Sequence, residues 1–497
     1  MLERLKRLLF GKKPKSVEPR TTDKRRAVSV TVGLDFGTCA TKCVINLESF
    51  DHGRDKFLAL AFPSTAPPHS MLCVPTAVGV RGDGLVFGPE AESMAEDAVI
   101  RSFKMAIPCI GKEWGLYRSP FMSASAPGHF DIHGRRISAT DLATLYLAVI
   151  LCQVKKQVSQ YLGQATDVTV FLNLAAPLNE LIQTSVKHNC ENGDDWIRDT
   201  AVSSEYIALG QRSLLLSENC QEPWPLEAAM AALDRAKKRP ILSLADSPAY
   251  VVPETLAAIA GFVNRPGTRS GKFITLDVGA GSTDASVFWL EKHDGKIKPW
   301  YYASRSLHIG MDSVDRSLAE VTKCLAGGSV RARRESLQRA EGGLTKYRCQ
   351  CKATLEAIDR HRRMTFGRGY EKEKNPRRWE DVVLLLIGGG CQSDLVQELA
   401  HRGLWQNVIG SPSVEVLGLD TTKHVLGPDA REHLLEEVAV FAEQAYLLII
   451  AEGLANKIVD IPEFGITTRG LVKPRNRKPI PPELWFATDR DETWGDS

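Results

Sequence analysis

KFITLDVGAGSTDASVFWLE, residues 272–291, is the stretch whose reading decides the fold. It reads as a strand up to Val278, a turn made only of small residues (Gly279, Ala280, Gly281, Ser282), and a second strand from Thr283. An earlier segment has the same form. AVSVTVGLDFG, from Ala27, is patterned as a strand, and TKCVINLES at 41–49 is its return after a short turn. Asp-Phe-Gly-Thr at 35–38 answers Asp-Val-Gly-Ala-Gly-Ser at 277–282, so the chain carries an internal repeat of two glycine-turned hairpins.

Turns of this kind present backbone N–H groups and a hydroxyl to whatever lies beside them. Gly37 with Thr38, and Gly279, Ala280 and Gly281 with Ser282, are suited to cradle phosphate oxygens. Asp35 and Asp277 stand at strand ends, where carboxylates order the waters of a Mg²⁺ that bridges phosphates. A third element follows in order: VVLLLIGGG at 382–390 is a buried strand ending in Gly388, Gly389 and Gly390, and SDLVQELAHRG opens a helix behind it. That junction permits close backbone approach to a base or ribose.

Outward from these motifs, DLATLYLAVILCQVKKQVSQYLG (141–163) has helical spacing, with Asp141 expected as its N-cap and Gly163 as its stop. ATDVTVFLNLAAP (165–177) reads as a buried strand, and 191–248 as peripheral helices such as PLEAAMAALDRAKKR. ETLAAIAGFV begins a helix after Pro253, 313–380 is helical and basic, and a last long helix is expected over 430–457. The final residues, rich in proline and charge, read as a mobile tail.

A chain of 497 residues with 43% hydrophobic positions is long enough for two to four domains at about 100–200 residues each. No apolar run approaches the roughly 20 residues of a membrane span and no signal peptide is recognised, so a cytoplasmic protein is expected. Eleven scattered cysteines fit reduced thiols; Cys349 and Cys351 have no second pair at zinc spacing, although His361 follows. Basic residues are concentrated. Residues 1–26 hold ten Lys/Arg against three Asp/Glu, and 331–378 hold fifteen against six. Such asymmetry points to localised contact surfaces rather than specific nucleic-acid binding. MLERLKRLLF at the start has the pattern of a short basic amphipathic helix, suited to weak contact with an anionic membrane surface or to a disordered arm.

GLDFGT at 33–38, DVGAGSTD at 277–284 and LLLIGGGCQSDL at 384–395 resemble the phosphate 1, phosphate 2 and adenosine motifs of the actin and Hsp70 ATPase superfamily. Between them, IRSFKMAIPCIG at 100–111 resembles the Hsp70 segment that bears its catalytic lysine, here Lys104. HIGMDSVD at 308–315 resembles the stretch after phosphate 2, and LLIIAEGLA at 447–455 the closing helix. The likeness covers about 29–457. Ala280 replaces a usual glycine, and Cys391 and Gln392 stand where Hsp70s usually carry an arginine. Pro253, Glu254 and Thr255 replace the order Glu-Pro-Thr, which offsets Glu254 by one residue from the family's catalytic glutamate. Lys42 stands seven residues after Asp35, as the phosphate-binding lysine does in actin, so Lys42, Lys104 or both would meet the phosphates.

The resemblance implies an α/β, two-lobed actin-like ATPase fold: duplicated ribonuclease H-like domains with a nucleotide cleft between them. The expected divisions are an arm and linker at 1–28, lobe I at 29–254, lobe II at 255–440 with a basic subdomain near 313–380, a closing helix at 441–465 and the tail at 466–497. It implies slow Mg²⁺-dependent ATP hydrolysis, with ATP/ADP and Mg²⁺ as ligands. Asp35, Lys104, Glu254 and Asp277 would be catalytic, and Asp35 and Asp277 would hold the metal through water. Gly37, Thr38, Lys42, Gly279, Ala280, Gly281, Ser282, Asp284, Gly388, Gly389 and Gly390 would bind nucleotide. A chaperone-like switch acting on a protein partner, without a standard peptide-binding domain, is one expectation. An actin-like or MreB-like filament protein that self-assembles with ATP is the alternative.

Overall fold

The computed structural model describes residues 26–107, 121–176, 201–314, 343–401, 412–457 and 465–466, apart from short stretches inside those ranges. The basic arm at 1–25, the front of the basic region at 315–342 and the tail at 467–497 lie outside the described residues, with the expectations placed on them.

Two sheets carry the molecule. In the first, β1 (Arg26–Phe36), β2 (Ala40–Asp51) and β3 (Arg54–Leu60) form an antiparallel meander, and β4 (Thr166–Ala176) and β5 (Ala249–Pro253) add beside β1 in the parallel sense, giving the order β5-β4-β1-β2-β3. In the second, β6 (Gly271–Val278), β7 (Thr283–His293) and β8 (Lys296–Leu307) form the meander, and β9 (Val383–Ile387) and β10 (Ser413–Val416) add in parallel, giving β10-β9-β6-β7-β8. Order and direction repeat, strand for strand. The connections follow the chemistry of the ladders: antiparallel neighbours are joined by tight turns, while each parallel addition needs a helical crossover. α1 (Ala139–Leu162) precedes β4, α2 (Ala201–Leu216) and α3 (Leu226–Lys237) precede β5, α4 (Glu254–Val263) leads out of β5, α5 (Gly343–Lys372) precedes β9, and α6 (Asp394–His401) precedes β10. The chain is thus mixed α/β with several sheets.

Two sequence expectations are corrected. Asp141 does not cap α1; Ser138 does, accepting the Asp141 N–H at 3.1 Å, while the Asp141 carboxylate takes a 2.7 Å bond from Lys237 Nζ. A hydroxyl in extended backbone one turn back caps the helix better than an acid already inside it. Gly163, in left-handed backbone at φ +82°, ends the helix as expected. The long helix over 430–457 is replaced at its front by β12 (Glu432–Leu434), which pairs back onto β11 (His424–Leu426), and α7 spans Ile449–Leu454 behind a 3-10 turn at Ala445–Leu448. A turn at Gly427–Arg431, closed by a 2.7 Å bond from Gly427 N–H to Arg431 O, reverses the chain. Glu432 then accepts bonds from Lys56 of β3 (2.7 Å) and Tyr161 of α1 (2.8 Å), so distant partners override helical periodicity. β11 runs parallel to β3. Residues 424–434 therefore extend the first sheet, although the sequence division places them with the second half.

The two sheets share an apolar junction. Val252, Leu256 and Ile259, from β5 and α4, are buried with Phe273, Leu385 and Ile387 of the second sheet and with Ile449 and Leu454 of α7. Asn173 of β4 donates to the carbonyls of Leu454 (2.6 Å) and Asn456 (2.9 Å), fixing the end of α7 against β4.

Candidate active site

β1 and β6 end alike, and the register shows how far the likeness goes. Asp35 lies opposite Lys42 across the first hairpin, and Asp277 lies opposite Asp284 across the second. The next pairs, Phe36 with Thr41 and Val278 with Thr283, leave four-residue turns in both. One hairpin therefore brings an acid to a base at its mouth, and the other brings two acids together.

In the first hairpin, Lys42 Nζ donates to Asp35 Oδ2 at 2.9 Å. Burial opposes the ammonium charge, but Asp35, with Cys73 and Asp277 nearby, holds the Lys42 pKa above its ordinary value. In the second hairpin nothing neutralises the pair so directly. Burial, then the charges of Asp284, Glu254 and Asp35, push Asp277 well above the carboxylate range. Asp284 is raised to about 7 by burial and by Glu254, against the relief that Ser306, Lys104 and Ser282 provide.

Glu254 enters because β5 ends at Pro253 and α4 starts at once, which sets its carboxylate at the helix N-terminus. Lys104 enters on a 3-10 turn, Phe103–Ala106, and its Nζ donates to Glu254 Oε1 at 2.7 Å in a buried pair. Phe36, Phe103 and Tyr146 form an aromatic wedge behind that turn, with Lys104 Nζ 5.7 Å from the Phe36 ring centre. Each lysine thus has its own carboxylate. Lys42 and Lys104 both reach the cluster, and the one-residue offset of Glu254 does not keep it out.

The turns meet. A Cβ on Gly281 would stand 2.7 Å from Met105 Sδ and 3.1 Å from Thr38 Cγ2, so the first glycine turn, the Lys104 turn and the second glycine turn touch at this point. Ser282 Oγ donates to Asp284 Oδ2 at 3.4 Å. The carbonyls of Gly279 and Ala280 accept the N–H groups of Met311 (3.0 Å) and Asp312 (2.8 Å), and the carbonyl of Gly37 accepts Thr76 Oγ1 at 2.9 Å. Gly388, at φ +82°, lies so close to Asp277 Oδ1 that a Cβ would overlap it. Gly390 is pressed onto Val278 and buried, while Gly389 is exposed. Of the three glycines expected at a base or ribose, Gly388 and Gly390 serve packing beneath the acids and Gly389 alone faces out.

A hydrated divalent cation fits this arrangement. Asp35, Glu254, Asp277 and Asp284 outnumber Lys42 and Lys104, and Asp284 Oδ1 is buried without a hydrogen-bond partner. Among the described residues, no three His, Cys, Asp or Glu side chains converge as a direct metal cage. Sequence reading missed Ser102, Met105, Ser306 and Asp312. Of these, Ser102, Met105 and Asp312 lie inside stretches whose likeness to the superfamily was visible, but only folding shows which of their atoms face the turns.

The raised acids carry a pH signature. A carboxyl whose pKa is higher in the folded than in the unfolded chain keeps its proton on folding, so its favourable contribution falls as pH rises from about 4 to about 7. Asp284→Asn removes that titration. Its melting temperature relative to wild type is expected to rise with pH across this window in nucleotide-free, metal-free protein; a difference independent of pH would contradict the raised pKa. The comparison between the two proteins cancels His361, whose pKa burial lowers to about 4 and which works in the opposite sense.

No protein-family model matches the chain, and no curated protein matches it. The class defined by the fold is a mixed α/β protein with several sheets. Among its described residues, no helix is long and apolar enough to cross a membrane.

Proposed function

We propose that this chain is an Hsp70-like, ATP-binding and ATP-hydrolysing protein of two-lobed actin-like architecture, with the nucleotide between two ribonuclease H-like halves. Lobe closure would switch contact with a protein partner in the cytoplasm. The observation that carries the reading is the repeated hairpin mouth: two equivalent turns face each other at Thr38 and Gly281, ringed by four buried carboxylates, the buried Lys104 and the half-buried Lys42. The repeated strand order of the two sheets supports the same architecture.

The chain's part in the reaction follows from its side chains. Thr38 and Ser282 offer hydroxyls, and the two turns offer amides, to phosphate oxygens from opposite sides. Lys42 and Lys104 oppose the negative charge of the phosphates and the charge that develops in transfer. Glu254, held by Lys104, orients the water that attacks the terminal phosphate. Asp35 and Asp277 would hold Mg²⁺ through its waters, and the ion would supply neutralisation of phosphate charge. Preorganisation in a desolvated cluster supplies the rate, with no covalent intermediate.

Glu254→Gln tests this assignment with little risk to the fold, because the amide oxygen still accepts the Lys104 bond. Phosphate release is expected to fall about 100-fold or more, while ATP affinity and melting temperature stay near wild type. Unchanged turnover would remove Glu254 from the machinery.

A further inference from the structure

Two segments that flank the proposed phosphate position are tied by a side-chain bond. Ser102 Oγ donates to Asp312 Oδ2 at 3.3 Å, across 210 residues of sequence. On one side, the Ser102 carbonyl accepts the Met105 N–H at 3.0 Å, which closes the turn that carries Lys104. On the other, Asp312 N–H donates to the Ala280 carbonyl at 2.8 Å, beside the Met311 bond to Gly279, so that the 310–314 segment supports the Gly279–Ser282 turn. A continuous path therefore runs from the Lys104 turn through Ser102 and Asp312 to the turn that holds Ser282.

Ser102 is also held in an unusual backbone. Its φ of 53° and ψ of 22° lie in the left-handed region, which costs a non-glycine residue about 1 kcal/mol or more. Glycine would relieve that cost but offers no hydroxyl. The conformation is what turns the chain from strand Val99–Arg101 into the Lys104 turn.

We infer that Ser102 is a positioning residue: through Asp312, its hydroxyl couples the Lys104 turn to the Gly279–Ser282 turn and sets how firmly the two close on each other. Its consequence for turnover rests on the ATPase reading above; the coupling itself does not. The bond removes one route by which the two turns drift apart, and Met105 against Gly281 adds an apolar contact between them. Loss of the bond should loosen the 310–314 segment without touching any group that would contact nucleotide.

The experiment is amide hydrogen exchange on the full chain without nucleotide, read at Met311 and Asp312, in wild type, Ser102→Ala, Ser102→Gly and Ser102→Asn. Exchange at both amides is expected to rise about fivefold in Ala and Gly, the effect of one hydrogen bond. Asn adopts left-handed backbone readily and carries a donor, so it should return exchange toward wild type. Gly separates strain from bonding, because it relaxes φ: its melting temperature should not fall below wild type even as Met311 and Asp312 loosen. Unchanged exchange in both Ala and Gly would overturn the inference. Turnover measured on the same samples should show kcat for ATP reduced severalfold with KM unchanged. Faster exchange in the Ala and Gly variants of a protein whose wild type never hydrolyses ATP would leave the coupling standing and defeat the ATPase reading; normal turnover with unmoved exchange would do the reverse.

Discussion

Asp277→Asn is expected to lower ATP turnover by at least about 100-fold while raising the melting temperature of the nucleotide-free protein at pH 8. Both effects come from one cause. Asp277 is buried opposite Asp284, with Glu254 and Asp35 close enough to push its pKa up, so ionising it without a bound cation is unfavourable. Asparagine keeps the shape against Gly388, removes the charge and relieves the repulsion. The same charge, on the proposed reading, helps hold Mg²⁺ through water, and its loss removes that support. Sites of this kind trade stability for chemistry. Thermal unfolding and phosphate release on the two proteins check both halves. A variant that is less stable and equally active would contradict the strain and the role together.

Gly453→Ala is expected to destabilise the fold by more than about 3 kcal/mol. α7 crosses α4 backbone to backbone: a Cβ on Gly453 would overlap the Ala257 carbonyl, and one on Gly261 would lie 2.7 Å from the Ile449 carbonyl. On its other side α7 lies on β1, where a Cβ at Gly33 would strike the backbone of Ala451 and Ala455. A methyl at 453 cannot be accommodated by a side-chain rotamer change, because what it meets is main chain. It would push α7 away from α4 and strain the Asn173 bonds that hold its end. Gly271→Ala is the control, since its Cβ meets nothing closer than Phe273 Cε2 at 3.6 Å. Denaturant unfolding of the two variants should separate them clearly; equal midpoints would mean the helices do not cross so closely.

Much of this arrangement was legible in the sequence where a local pattern fixes local structure. Two short turns of small residues between β-patterned runs leave little but hairpins, and the spacings Asp35–Lys42 and Asp277–Asp284 already hold the cross-strand pairs. Pro253 and the apolar helical run after it marked the helix start at Glu254, while its role came only from the resemblance, one residue out of register. What the sequence withheld depends on distant partners. Glu432 sits in a run with helical periodicity, yet Lys56 and Tyr161, more than 250 residues away, draw it into a strand. Ser102 lay unmarked two residues before Lys104, because neither its left-handed backbone nor its partner Asp312 is encoded nearby. The three glycines at 388–390 looked alike, and only the packing of Asp277 and Val278 against two of them separates their roles.

The most direct test of the central claim is calorimetric titration of wild-type protein with ATP and Mg²⁺, with phosphate release and light scattering followed on the same samples. The account predicts stoichiometric binding, slow Mg²⁺-dependent release of phosphate and no rise in scattering. Binding accompanied by scattering above a critical protein concentration would replace the switch with an ATP-controlled filament. No binding at all would contradict the assignment of the two hairpin mouths as a phosphate site.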